Sequence, residues 1–200
     1  MGQRLVITVE EKNEDVATIY FHWSGYTKSI YHELRDLIKM LDGKTINRTV
    51  LTENGFCEVE SAKVEETDTV LKLIRLYESV GGGLSSDSYA DFEKRYPGVE
   101  YKKFADRSNG LIDFTEKTMG EAKSWAEASA TIDLDTREVF VEPFYFVDPE
   151  ELKPDDVVTE LKDDPTLFTF DEIEEQYKMI CNIESAYVKY GTDMIYGIIE

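Results

Sequence analysis

The chain reads as an α+β protein: a mainly antiparallel sheet with several amphipathic helices, folded as a single compact domain. Three observations predict this. Period-two stretches such as QRLVITV and VATIYFHW are interspersed with period-3.6 stretches such as SIYHELRDLIKML. No regular strand–helix–strand alternation runs through the 200 residues, as a doubly wound parallel sheet would require. An apolar fraction of 42%, with 12% aromatic residues, lets a chain of this length bury roughly 70% of its unfolded surface.

The elements follow in order. Residues 3–9 and 16–23 form a predicted hairpin about the polar turn KNED. The next stretch spaces Ile30, Leu34, Leu37, Ile38 and Leu41 for a helix that Gly43 closes. Residues 44–63 read as a shorter hairpin around Glu53, Asn54 and Gly55. DTVLKLIRLYESV is a second helix, ended by Gly81, Gly82 and Gly83, and a third spans about 87–96 with Pro97 as its stop. GLIDF is a candidate strand, and TMGEAKSWAEA a helix with Thr118 and Glu121 as its capping box. ATIDLD and EVFVEPFYFV then form two strands, the second apolar on both faces until Pro143 interrupts it. FDEIEEQYKMICNIES follows as a helix capped by Thr169 and Glu172, and AYVKYGTDMIYGIIE is expected to close the fold as a hairpin.

Charge is the outlying property. Forty-two acidic against 22 basic residues give −20, unevenly spread. Residues 1–110 hold 19 acidic and 15 basic side chains, and residues 111–200 hold 23 and 7. The chain thus divides into a near-neutral N-terminal portion (1–110) and an acidic C-terminal portion (111–200), expected to pack as one domain with the second as an acidic lobe. Within 133–175 the count reaches 16 acidic to 3 basic. Such a surface repels nucleic acid and anionic membrane and attracts a basic protein.

Several chemistries find little support. Cys57 and Cys181 lack metal-site or disulfide spacing, and their simplest role is as small buried residues. The Gly-rich stretch 81–86 matches no phosphate-loop pattern. His22 lies beside Ser24, and His32 among Glu33 and Asp36, but no spacing specifies a nucleophile and its base. No catalytic residue, metal ligand or cofactor is assigned. No stretch resembles a signal peptide or reaches membrane-span length, so a cytoplasmic location is expected.

Asp133 and Asp135, two apart in an expected strand, point to one face and with Glu138 or Glu142 offer oxygens for Mg²⁺ or Mn²⁺. Equally, an Asp before a tight turn bonds local backbone. Asp171, Glu172, Glu174 and Glu175 crowd a helix N-terminus, where the dipole explains them. Glu150 and Glu151, after Pro149, can open a turn of helix in the same way, and local roles account less well for Asp155, Asp156, Glu160, Asp163 and Asp164. The candidate partner-binding surface therefore comprises Asp133, Asp135, Glu138, Glu142, Asp148, Glu150, Glu151, Asp155, Asp156, Glu160, Asp163 and Asp164. Nearby Phe144, Tyr145, Phe146 and Phe168 are candidate apolar anchors.

The stretches QRLVITV, YFHWSGYT, VGGGLSSD, RSNGLIDFTEK and SWAEASATIDLD resemble uncharacterised acidic proteins of phages and prophages of Gram-positive bacteria, over about the first 145 residues. What the resemblance implies is context. Small, very acidic phage proteins are often inhibitors of host defence, and the chain is similar in size and charge to anti-CRISPR proteins that imitate DNA. No residue role carries over. The expected function is a non-enzymatic inhibitor, acting in the host cytoplasm on a basic nucleic-acid-binding protein such as a CRISPR nuclease. The alternatives are a divalent-metal-dependent or nucleotide-handling protein built on Asp133, Asp135, Glu138 and Glu142, and an acidic structural or virion-associated protein.

Overall fold

A computed structural model describes residues 4–25, 27–52, 55–142 and 166–190. Among these described residues, nine strands and five α-helices form one α+β unit. Strands β1 (Leu5–Glu11) and β2 (Glu14–Phe21) are the expected hairpin. Their turn is tighter than KNED suggests: Lys12 and Asn13 both take positive φ, 58° and 61°, as a two-residue type I′ turn demands. Helix α1 (Thr27–Leu41) leads to the separate hairpin β3 (Asn47–Thr52) and β4 (Gly55–Glu60). Helix α2 (Thr69–Ser79) starts at Asp68, whose carboxylate accepts from the Leu71 N–H at 2.9 Å.

After α2 the chain forms β5 (Gly83–Leu84), a 3₁₀ turn (Ser86–Ser88) and α3 (Tyr89–Arg95), then β6 (Leu111–Asp113) and α4 (Glu116–Ser124). Helix α4 begins three residues earlier than expected. Its capping box is Thr115 with Thr118, not Thr118 with Glu121, because a threonine hydroxyl can fill both roles. Strands β7 (Ala128–Asp133), β8 (Glu138–Glu142) and β9 (Thr166–Thr169) precede α5 (Phe170–Tyr190). The capping box at α5 is as read: Glu172 accepts from the Thr169 N–H at 2.7 Å, and its own N–H donates to the Thr169 hydroxyl. The expected strand AYVKY is instead the last turns of α5.

The main sheet has the order β5-β6-β2-β1-β7-β8-β9. Pairing is antiparallel except for β1 with β7 and β5 with β6. Strands from either side of residue 110 therefore interleave in one sheet. One face carries Leu5, Ile7, Val9, Ala17, Ile19, Phe21, Ala130, Ile132, Val139, Val141 and Phe168, all buried in a common core with α1, α2 and α5. On the opposite face, which we term outer, α4 packs over β2 and β6. The triple glycine does more than end α2. A Cβ on Gly82 would stand 2.3 Å from the Gly110 carbonyl oxygen, so only glycine lets the β5 and β6 approaches lie this close.

The β3–β4 hairpin is fastened to α1 by a buried ion cluster. Arg48, on β3, reaches Glu33 and Asp36, and Arg35 adds a 2.8 Å bond to Asp36. Burial alone would lower the Arg48 pKa, but Glu33 and Asp36 together hold it raised. Cys57 is exposed on β4 and Cys181 half-buried on α5, so neither is the buried small residue the sequence suggests.

Candidate functional site

The outer face is built by alternation. Inward Val9, Ile132 and Val139 force Glu10, Asp133 and Glu138 outward. Register pairs Glu10 with Asp15 on one side and with Asp133 on the other, and Asp133 with Glu138. Four neighbouring strands thus each present one carboxylate, in a row with steps of roughly 4.8 Å. A β-bulge makes the row possible: the register skips Val16 at Val9/Glu10, which brings Asp15 opposite Glu10.

The row's electrostatics follow from crowding. Burial raises the Glu10 pKa, and Asp15 and Asp133 raise it further. Lys123 on α4 offsets part of the charge by pairing with Asp15. Glu11 and Glu14, the last pair of β1 and β2 before their turn, and Asp135, in the β7–β8 turn, flank the row.

Asp133 and Asp135 are not the strand pair the sequence suggests. Strand β7 ends at Asp133, and Asp135 lies in the turn. Asp133 accepts the N–H groups of Asp135 and Thr136 at 2.8 and 3.1 Å, which lowers its pKa. Asp135 accepts from the Lys12 N–H and so ties the two turns together. Both carboxylates serve turn backbone. Among the described residues, no group of three His, Cys, Asp or Glu side chains is placed to hold a metal ion.

Glu142 stands on the same face as Glu138 but at the other end of β8, where it accepts from the Ser129 hydroxyl at 2.7 Å. Asp148, Glu150, Glu151, Asp155, Asp156, Glu160, Asp163 and Asp164 lie outside the described residues. Phe144, Tyr145 and Phe146 lie outside them too, and Phe168 is buried against Tyr31. The exposed apolar pair is one the sequence did not single out. Phe140 and Leu167 face each other across β8 and β9, 37% and 57% exposed, with Phe140 between Glu138 and Glu142.

A cleft of about 620 Å³ lies between α4 and the β5–β6 edge. Asp113 is its buried carboxyl, accepting from the Ser88 hydroxyl at 2.9 Å. Ser88 also contacts the Thr118 hydroxyl at 3.3 Å. Burial pushes Asp113 up to about 6, against the lowering effect of Ser88 and Ser85. Both segments, GLSSD and GLIDFTEK, are plain in the sequence, but nothing local joins them. Their shared signal is an Asp with hydroxyl residues close by, and the parallel β5–β6 pairing brings the two together.

The histidines form no catalytic arrangement. His22 Nδ1 is 2.8 Å from the Tyr20 hydroxyl, while neighbouring Ser24 donates to Glu33. His32 lies 3.7 Å from Asp36 and against the Tyr177 ring, with its pKa lowered by burial. Among the described residues, no helix is long and apolar enough to cross a membrane. Fold and site together define an α+β protein with a carboxylate-lined outer sheet face. No protein-family model, curated protein or solved structure matches the chain.

Proposed function

We propose that the chain is a non-enzymatic, phage-encoded inhibitor that acts in the host cytoplasm on a basic nucleic-acid-binding protein, with a CRISPR nuclease as the leading class of target. The row Asp15, Glu10, Asp133 and Glu138 carries the proposal. Its carboxylates stand on hydrogen-bonded strands, so little conformational freedom remains to be lost when a basic groove closes on them. B-DNA offers such a groove one phosphate charge per roughly 1.7 Å of axis. A carboxylate on each of four neighbouring strands, augmented by the flanking acids, competes for the same Lys and Arg side chains.

Charge alone gives steering rather than residence. Phe140 and Leu167 provide the apolar contact that a long-lived complex needs beside its charges. The sequence of residues 143–165, between β8 and β9, holds eight acids and two lysines.

The test is inhibition of target-DNA cleavage by RNA-guided nucleases, with competition binding against duplex DNA across a salt series. Affinity should fall steeply with salt, and the double substitution Glu10→Lys, Glu138→Lys should weaken binding at least about tenfold. Absence of binding to every nuclease in a panel at low salt would sink the proposal.

A further inference from the structure

The cleft beside α4 is separate from the carboxylate row and has a chemistry of its own. Tyr20, Ser85, Asp87, Asp113, Glu121 and Trp125 are among its lining residues, and no Lys, Arg or His is among the described residues that line it. Asp113 is only 6% exposed, so water does little to solvate its charge. Ion pairs elsewhere in the protein answer buried carboxylates with arginine, as Arg48 answers Glu33 and Asp36. Nothing equivalent reaches Asp113: hydroxyls of Ser88 and Ser85 act on it, and the charged groups facing it, Asp87 and Glu121, are also negative.

Hydroxyls cannot complete the site. Each donates one proton, and an ionised carboxylate has about four acceptor positions. Asp113 therefore keeps acceptor capacity toward the cleft. At the cleft wall Trp125 is 60% exposed; the Arg4 guanidinium stands 5.6 Å from its ring centroid, so the ring already takes one planar cation and its remaining exposed surface forms the wall. A buried carboxylate with spare acceptors, further negative charge and a flat aromatic wall is the complement of a planar organic cation.

We propose that this cleft binds a guanidinium group, with Asp113 as its counter-ion and Trp125 as its stacking surface. The planar fork bonds a carboxylate through two parallel N–H groups and stacks on aromatic rings, which a compact ammonium does less well. Anionic ligands are repelled. The guanidinium can belong to a free small molecule or to an arginine side chain of a peptide, and the cleft volume accommodates either.

The proposal is tested by calorimetric titration of the full chain with agmatine, with putrescine (which replaces the guanidinium by an ammonium) and with the tripeptide Gly-Arg-Gly, in roughly physiological salt to screen non-specific attraction. Agmatine or the tripeptide should bind saturably at one site, at least about tenfold more tightly than putrescine. The tighter of the two identifies the source of the guanidinium. Asp113→Asn, which keeps an acceptor for Ser88, should weaken binding by about tenfold or more, and Trp125→Ala, at an exposed position, by about threefold or more. No saturable binding by either guanidinium probe, equal binding of putrescine, or unchanged affinity in both variants overturns the assignment. None of the cleft residues belongs to the carboxylate row, so failure here leaves the nuclease proposal standing, and the converse also holds.

Discussion

Replacing Asp113 by Asn should make the protein more stable at neutral pH, against the usual expectation for a substitution at a buried polar site. Asp113 ionises near 6 in the fold, against 3.8 as its ordinary value. Its pKa is raised on folding, so the protonated form favours the native state. That contribution is complete below about 3.8 and is lost as the pH rises through about 6. At pH 7 the ionised carboxyl costs about 3 kcal/mol, from 1.36 kcal/mol per pKa step. At pH 5 roughly half of that cost has been incurred, by the same linkage. Asn carries no charge and still accepts from Ser88 through its side-chain oxygen. The measurement is urea unfolding of both proteins at pH 5 and pH 7.5. The stability difference, variant minus wild type, should move in the variant's favour by about 1.4 kcal/mol between those pH values. The other carboxylates titrate in both proteins and cancel. A difference that is the same at both pH values would refute the reasoning, whatever its sign.

Other outcomes follow from the same structure. Arg48→Met should destabilise the fold by about 3–5 kcal/mol, because Glu33 and Asp36 would remain buried without their shared cation; chemical denaturation measures it, and a loss under about 1 kcal/mol contradicts the buried cluster. Gly82→Ala should cost at least about 2 kcal/mol, since its Cβ would meet the Gly110 carbonyl at 2.3 Å; an unchanged melting temperature would contradict that approach of β5 to β6. Glu10→Gln should stabilise the protein at pH 7 by relieving burial and the repulsion of Asp15 and Asp133. Because the Glu10 pKa is raised in the fold, that gain should vanish as the pH falls below the ordinary glutamate range, and thermal melts at the two pH values check it. Thr169→Ala should cost about 1 kcal/mol through loss of the α5 capping box, measured by urea unfolding.

What was legible in the sequence is what neighbouring residues decide among themselves. Alternation in LVITV and the 3.6 spacing of Leu34, Leu37, Ile38 and Leu41 report burial faces, and Thr169 with Glu172 reports a helix start. Pairings between distant segments leave no such mark. Nothing local in LVITV states that Leu5 aligns with Ala128, or that β6 inserts between β5 and β2. The candidate site suffered accordingly. Asp133 was found as a strand-end acid, but its true companions, Glu10 and Asp15, sit in the half of the chain whose near-neutral charge drew no attention. Asp113 carries no local signal of its role, because its partner Ser88 comes from a separate segment. The strand expected at AYVKY failed for another reason: β-branched and aromatic residues also suit a helix that continues from a well-capped start.

The alignment of β1 with β7 also sets a timetable for synthesis. Leu5 and its pairing partner Ala128 are separated by 123 positions, a distance a ribosome covers in roughly 6–25 s at ordinary elongation rates. Until then the β1–β2 hairpin has one bare edge where β7 belongs, and Leu5, Ile7 and Val9 lack the α5 side of their core. The N-terminal segment can reach its final state only after most of the chain has emerged. A nascent protein of this design is therefore vulnerable to strand-edge association during translation, and shortening it from the C-terminal side removes stability from its very first strand.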